Sequence, residues 1–164
     1  MDHITRRDAL LGGGALSLAL LGSAARADDK SPRALIERLY SASNAGDWDA
    51  VIELYAETFL RNGEPFAARD LRAKVAAFDA AFSDTRYELH DVAVTGDCVY
   101  NRHVTRATHT GPLAHPSGAV IPPTGRGIEI WGLELRRVKD GRFSELWVPP
   151  DFAIEVARQL GVGA

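Results

Sequence analysis

TGRGIEIWGLELRRVKDGRFSELWVPPD, the stretch from Thr124 to Asp151, decides the fold of this chain. Its first part is rich in apolar and β-branched residues and runs into Lys139-Asp140-Gly141, a pattern that predicts a strand ending in a tight turn. An Asp-Gly pair tolerates the positive φ angles of a hairpin, and residues 143–148 then alternate apolar with polar side chains. The stretch therefore predicts an antiparallel hairpin, followed after Pro149-Pro150 by a short helix over residues 152–160 that Asp151 caps.

The chain upstream of this hairpin predicts helices first and strands afterwards. Apolar residues at helical spacing predict helices from Ser31-Pro32 to about Asn44, from Trp48 to Phe59 and from Ala68 to Phe82. The period then changes to two, which predicts strands over residues 87–94 and 99–107. A run of helices followed by a run of strands predicts an α+β fold, with the helices packed on one face of an antiparallel sheet.

The first 27 residues have the features of an export signal. Arg6-Arg7 precede a weakly apolar, glycine-rich run, and Ala25-Arg26-Ala27 is a small-x-small cleavage pattern. The paired arginines favour a signal of the twin-arginine type. An uncleaved membrane anchor is the weaker alternative, because the apolar run is shorter than the roughly 20 residues that a span needs. We expect residues 1–27 to be removed and residues 28–164 to form one domain that is periplasmic or secreted.

Charge and cysteine content exclude several classes of protein. The chain has 19 basic and 22 acidic residues, for a net charge of −3, and this balance gives no basic footprint for nucleic acid. Cys98 is the only cysteine, so no intramolecular disulfide can form. The sequence has no H-x-H, C-x-x-C or H-E-x-x-H pattern, and we therefore expect no metal site.

Three ionisable side chains near the hairpin could carry acid/base chemistry. His109 ends the long strand just before an irregular loop, where a histidine can act as a general acid or base or simply make one hydrogen bond at a rim. Glu129 and Glu134 have opposite parity on one strand, so at most one of them faces the interior. The pattern does not decide which glutamate that is.

Three further side chains could contact a ligand. Arg102 lies in a strand, so it must face solvent or pair with a carboxylate. Trp131 and Trp147 are expected in the core, where their indole N–H groups reach a ligand only if a cavity is present.

The chain resembles the SnoaL-like polyketide cyclase (ester cyclase) family, whose domains share the fold of nuclear transport factor 2. The resemblance extends over about residues 35–162 and rests on GDWDAVIELYAETFLRNG, ATHTG, PPTGRGIEIWGLEL and DGRFSELW. It implies a cone-shaped fold in which helices and a curved antiparallel sheet enclose a pocket. It also implies intramolecular aldol closure of a polyketide ester without a cofactor, helped by a histidine and an aspartate in the pocket.

Carried over by motif, the resemblance makes His109 the family histidine. The family aspartate lies on the strand after the Pro-Thr-Gly loop, where this chain has Glu129 and Glu134. Arg61 stands where the family often has a histidine before Asn-Gly, and the loop after His109 is several residues longer than usual. Both departures lie at the mouth of the expected pocket, so the substrate class is left open.

Two alternatives for the function follow. The first is an acid/base enzyme of cyclase or isomerase type that uses aldol or enolate chemistry on a small hydrophobic carbonyl compound. The second is a module of the same fold that binds such a ligand without turnover. The expected catalytic residues are His109, Glu129, Glu134 and Asp151, and the expected substrate contacts are Asn62, Arg102, Trp131 and Trp147.

The expected arrangement of these residues can be tested in a structure. We expect His109, one of the two glutamates, Trp147 and Asp151 to converge beneath the Pro122-Pro123 loop and form an apolar cavity with a few polar groups. The curved sheet must also cover its outward apolar face. By analogy with the family, we expect a homodimer formed there, through Ile128, Leu133 or Leu135.

Overall fold

The computed structural model describes residues 29–114, 118–149 and 152–161, and these ranges contain four helices and eight strands. The helices are α1 (Pro32–Ala45), α2 (Trp48–Glu53), α3 (Asp70–Ala81) and α4 (Phe152–Leu160). The strands are β1 (Tyr55–Arg61), β2 (Glu64–Ala67), β3 (Phe82–Thr95), β4 (Cys98–His109), β5 (Leu113–Ala114), β6 (Val120–Ile121), β7 (Gly127–Lys139) and β8 (Arg142–Trp147). None of the described helices is both long enough and apolar enough to span a membrane.

Six of the described strands form one sheet, in the order β2-β1-β8-β7-β4-β3, and β5 pairs with β6 separately. Neighbours in the sheet are antiparallel except β1 and β8, which are parallel. The predicted hairpin is confirmed as β7 and β8, with φ angles of 53° at Asp140 and 73° at Gly141. Register shifts in β3 and at the β7–β8 pair bend the sheet, as bulges do. The predicted α+β class is confirmed.

The predicted second helix is wrong beyond Glu53, because residues 55–61 form β1. Tyr55 and Phe59 are both buried, and two buried aromatics four residues apart fit a helix and a strand equally well. Long-range pairing decides between them: the N–H of Phe143 donates to the carbonyl of Leu54 at 2.8 Å, at the point where β8 joins β1. Tertiary pairing thus overrides the local helical pattern.

One face of the sheet is covered by helices, and we call it the inner face. Along β4 the odd-numbered side chains face inward, and along β7 the even-numbered ones do, as the register Ala107 to Ile128 and Asn101 to Glu134 requires. One apolar cluster lies under α1 and α2, and a second lies between α4 and the ends of β3, β4 and β7. The inner face is therefore the core of the domain.

Three side chains lie on the opposite side of the sheet from the one that the sequence predicted. Ile128, expected to face outward, lies in the second cluster with 4% of its surface exposed. Trp131 and Trp147, expected in the core, are each 46% exposed on the outer face. The cause is parity, because the inner face takes the even positions of β7 and so leaves Trp131 outside.

The Thr-His-Thr-Gly segment fixes the end of β4 to the end of α3. The backbone N–H groups of Thr110 and Gly111 both donate to the carbonyl of Ala81 at 3.0 Å. A Cβ at Gly111 would overlap the carbonyl oxygen of Ala80, so only glycine permits this approach. The segment thereby sets where His109 lies.

The closing helix α4 is anchored to β7 by two side chains. Gln159 bonds both backbone groups of Glu129, accepting from its N–H at 2.7 Å and donating to its carbonyl at 2.8 Å. Nη1 of Arg126 donates to the carbonyl of Leu160 at 3.0 Å and so caps the helix. Because β8 pairs with β7 only from Leu135 onward, α4 takes the place of a strand beside Glu129.

Candidate functional site

A set of six side chains forms a polar cluster inside the otherwise apolar inner face. We call it the inner polar cluster; its members are Tyr40, Tyr55, Asn101, His103, Glu134 and Arg136. Nη1 of Arg136 lies 2.8 Å from Oε2 of Glu134 and donates to Oδ1 of Asn101 at 3.0 Å. Nε of Arg136 donates to the hydroxyl of Tyr55 at 3.1 Å. Arg136 therefore joins β1, β4 and β7 from within.

The position of His103 depends on the glycine opposite it. In the β4–β7 register His103 faces Gly132, and the neighbouring pair is Asn101 with Glu134. A Cβ at Gly132 would overlap the imidazole and lie 2.8 Å from its Nε2, so the missing side chain makes room for the ring. Nδ1 of His103 is consequently held 3.9 Å from Oε2 of Glu134 and 3.4 Å from Nδ2 of Asn101.

The charge states of the cluster follow from burial and from Arg136. Burial alone raises the pKa of Glu134, but Arg136 and His103 together hold it below the ordinary value of 4.5. Burial lowers the pKa of His103 below its ordinary 6.5; Glu134 opposes this shift and Arg136 adds to it. At neutral pH the cluster therefore contains a carboxylate beside a neutral imidazole.

Two side chains of the inner polar cluster, His103 and Glu134, keep contact with the exterior. The side chains of His103 and Glu134 are 12% and 14% exposed, whereas Asn101 and Arg136 are buried. Burial also raises the pKa of Tyr40, which therefore remains a neutral phenol. Fixed polar partners thus hold a carboxylate and an imidazole at the accessible side of the cluster, as a site for proton transfer requires.

His109, the expected family histidine, lies far from this cluster. It is fully buried, its Nδ1 is 3.0 Å from Oγ1 of Thr124, and its ring packs on Phe82. Eight residues of β4 separate it from Asn101, the strand partner of Glu134, which at about 3.3 Å per residue is roughly 25 Å. The structure does not bring His109 and Glu134 together.

Two further expected site residues are engaged elsewhere, and a third is not described. Glu129 lies on the outer face, where the indole of Trp131 and the guanidinium of Arg106, each at 3.0 Å, lower its pKa. The amide of Asn62 bonds both backbone groups of Val148, at 2.9 and 3.2 Å. Asp151 lies outside the described residues.

The other expected substrate contacts gather on the outer face of the sheet. Arg102 pairs with Asp91 at 2.6 Å, and its guanidinium lies over the ring of Trp131, 4.8 Å from the ring centre. Arg102 and Trp147 line an open groove of about 630 Å³ whose apolar walls include Leu133, and Asn101 and Glu134 line the same groove. Among the residues described, no group of three or more side chains has the composition of a metal site.

The family model for SnoaL-like polyketide cyclase matches residues 34–160, most of the chain. The chain belongs to the SnoaL-like polyketide cyclase family. The fold implied by the resemblance is thereby confirmed, since the helices and curved sheet are those of the cone-shaped SnoaL-like domain. A search of curated proteins found no match.

Solved structures of SnoaL-like proteins superpose on this chain. IdmH of Streptomyces antibioticus, described as a candidate polyketide cyclase, is 32% identical, with a TM-score of 0.66 over 80% of this chain and 99% of its own. AclR of Streptomyces galilaeus, described as a candidate hydroxylase, is 22% identical, with a TM-score of 0.63 over 79% and 94%. A SnoaL-like polyketide cyclase of Agrobacterium tumefaciens is 17% identical, with a TM-score of 0.64 over 80% and 98%. The last two share the fold with this chain.

Sequence reasoning missed several members of the inner polar cluster of this SnoaL-like domain. His103, Asn101 and Arg136 sit in strands where polar residues are typical of a solvent-facing side. The available signal was their spacing: Asn101 and His103 share one face of β4, and Glu134 and Arg136 share one face of β7. Once the register is known, paired polar positions on adjacent strands indicate a buried polar network.

Proposed function

We propose that this SnoaL-like protein is a cofactor-independent acid/base enzyme that acts on a small hydrophobic carbonyl compound through an enolate. The observation that supports it most strongly is the pairing of Glu134 with His103 on the accessible side of a buried network. Arg136 keeps Glu134 ionised and able to accept a proton. The neutral imidazole of His103 lies close enough to share in the same reaction.

The surroundings of this site favour an uncharged, largely apolar substrate. The charges of Glu134 and Arg136 balance each other, and His103 is neutral. Apolar residues of α1 and β8 surround the cluster. A charged substrate would lose its hydration there without finding a free counter-charge, which is costly. A neutral ester or ketone has no charge to desolvate, so it does not meet this cost.

The proposal can be tested without knowing the natural substrate. Deuterium uptake at the carbon beside the carbonyl is followed by proton NMR for a panel of hydrophobic β-keto esters in heavy water. We expect the wild type to accelerate exchange for some of them, and Glu134→Gln to lose roughly 100-fold or more, the scale of general base catalysis.

Glu129→Gln is the matched control for this experiment. It makes the same change on the same strand, at a side chain that also pairs with an arginine but lies on the outer face. We expect it to keep the wild-type rate within about twofold, since its carboxylate lies across the sheet from the proposed site. Equal losses in both variants, or no loss in Glu134→Gln, would refute the assignment; binding without exchange would favour the ligand-binding alternative.

Export and self-association are proposed as well. The proposal of export rests on Arg6-Arg7 and Ala25-Arg26-Ala27, which lie outside the described residues. Replacing both arginines with lysine should leave the protein in the cytoplasm.

The proposal of self-association rests on the outer face, where Leu133 is 70% exposed beside the two half-exposed tryptophans. Exposed apolar surface of this kind marks an interaction site, and a second copy of the chain is the partner we propose.

A further inference from the structure

The orientation of the Asn101 amide is determined by Arg136. A guanidinium can only donate hydrogen bonds, so the atom of Asn101 that lies 3.0 Å from Nη1 of Arg136 must be the carbonyl oxygen Oδ1. The NH2 group of the amide then faces the other way. There it donates to the hydroxyl of Tyr40 at 2.9 Å and approaches Nδ1 of His103 at 3.4 Å.

This orientation constrains where the imidazole of His103 carries its proton. An amide N–H can only donate, so the ring nitrogen that faces it must offer a lone pair. A neutral imidazole has one N–H, which must then be on Nε2. Glu134 does not compete for Nδ1, because Oε2 lies 3.9 Å away, beyond hydrogen-bond distance, and is bonded by Arg136 at 2.8 Å.

We propose that Asn101 is a positioning residue that holds His103 as the Nε2–H tautomer, so that the imidazole acts as a hydrogen-bond donor to the substrate carbonyl while Glu134 is the base. The part that concerns substrate rests on the proposed function. Asn101 itself is 2% exposed and acts through His103.

With Glu134 as the base and His103 as the hydrogen-bond donor, the proposed reaction is balanced in protons and electrons. Glu134 takes the proton from the carbon beside the carbonyl, the C–H electron pair forms the carbon–carbon double bond, and the carbonyl electrons move to oxygen. The enolate oxygen accepts a hydrogen bond from Nε2–H of His103. When the enolate carbon attacks a second carbonyl of the same molecule, the new alkoxide takes the proton back from Glu134. The opposite tautomer would present a lone pair to the enolate oxygen and repel it.

The tautomer can be read directly by nitrogen-15 NMR of the histidine side chains in the full-length protein at pH 7.5. His103→Gln identifies the His103 signals by their loss. We expect a protonated Nε2 and an unprotonated Nδ1 in the wild type. A protonated Nδ1 in the wild type would overturn the proposal, whatever the behaviour of any variant.

Two variants separate positioning by Asn101 from a general loss of structure. Asn101→Asp replaces the donor with an acceptor, so we expect Nδ1 to become protonated and the deuterium exchange rate to fall at least tenfold. Tyr40→Phe removes the other partner of the amide and should leave the tautomer as it is. An Asn101→Asp protein that folds but leaves Nδ1 unprotonated would contradict the proposal.

The readout also distinguishes this proposal from the proposed function. The tautomer is measured without substrate, so Nε2–H in a protein that exchanges no compound would support the positioning by Asn101 and refute the enzyme. Nδ1–H in a protein that does exchange would refute the positioning and support the enzyme.

Discussion

Gly132 shows how a single missing side chain can create a site. Its position opposite His103 on the inner face is where a Cβ would overlap the imidazole. In the interior of a strand, glycine weakens the sheet by roughly 0.5–1 kcal/mol relative to alanine, so its presence indicates a close approach by another group. At Gly132 that group is the imidazole that lies beside Glu134.

Gly132→Ala should therefore displace His103 from the inner polar cluster. We expect a loss of about 1–3 kcal/mol in the free energy of unfolding from overpacking, and a loss of deuterium exchange close to that of His103→Gln. Denaturant unfolding measures the change in stability, and the deuterium exchange assay measures the change in activity. Gly127→Ala on the same strand is the control, because a Cβ there would lie 4.0 Å from its nearest neighbour and should leave stability and exchange nearly unchanged. Equal effects of both substitutions would argue against a special role for Gly132.

The lowered pKa of His103 should also appear in the stability of the protein. Its pKa in the folded state is below the ordinary 6.5, chiefly through burial, so between these two values the unfolded chain binds a proton that the folded chain does not. The His103 contribution to the free energy of unfolding is therefore constant above about pH 6.5 and becomes less favourable as the pH falls through this window.

Chemical denaturation at pH 7.5 and 5.5 measures this contribution. Glu134 and Arg136, the charged groups that face His103, keep their charges across this range, because the pKa of Glu134 lies below 4.5 and that of Arg136 is raised, against the effect of burial, by Glu134. Wild-type protein should lose more stability between the two pH values than His103→Gln does. An identical pH dependence in the two proteins would mean that His103 titrates as it does in the unfolded chain.

At the scale of elements, the turn between β1 and β2 determines the edge of the sheet. Asn62 and Gly63 have φ angles of 53° and 87°, the combination that a two-residue hairpin turn requires. The Asn62 side chain also bonds both backbone groups of Val148, just after β8. The turn thus ties together two parts of the chain that lie 86 residues apart, beside the pairing of β1 with β8.

Asn62→Ala should reduce the free energy of unfolding by about 1–3 kcal/mol, because it leaves two backbone groups without partners and places alanine at positive φ. Asn62→Gly keeps the permitted φ and loses only the side-chain bonds, so it should be less destabilising. Denaturant midpoints of the three proteins give this order. If glycine is as damaging as alanine, backbone strain contributes nothing at this turn.

The same turn shows what the sequence could and could not predict. Asn-Gly is a strong hairpin signal, yet the buried pair Tyr55 and Phe59 suits a helix as well, and only pairing with β8 makes this segment a strand. The β7–β8 hairpin was predictable, because Asp140-Gly141 separates two alternating runs. The inner polar cluster was not, because parity shows that Glu129 and Glu134 face opposite ways but does not show which face the helices cover.

At the scale of the whole molecule, the outer face of the sheet is apolar at its centre and electrically balanced around it. Arg102 pairs with Asp91, Arg106 with Glu129, and Arg137 with Asp97 at 2.8 Å. Tyr100 and Leu133 lie between these pairs, 45% and 70% exposed. Two copies can therefore meet here without net repulsion, which supports a homodimer as the occupant of this face.

Leu133→Glu should weaken self-association at this face at least tenfold, because it places an unpaired charge in the proposed interface; tenfold corresponds to about 1.4 kcal/mol. Sedimentation equilibrium at micromolar concentration measures the change. Ile154→Glu is the control, since Ile154 is 58% exposed on α4 and does not line the groove that Leu133 lines. A wild-type protein that is monomeric at these concentrations would contradict the proposal.

We propose that the acid/base chemistry of this protein takes place at Glu134 and His103 on the inner face, and this proposal is open to a structural test. It is tested most directly by a crystal structure of Glu134→Gln bound to the β-keto ester that the wild type exchanges fastest, since we expect this variant to bind the compound without removing its proton. We expect a carbonyl oxygen within about 2.6–3.2 Å of Nε2 of His103, with the acidic carbon beside residue 134. A ligand bound between Leu133 and Trp147 that contacts neither residue 134 nor His103 would contradict it.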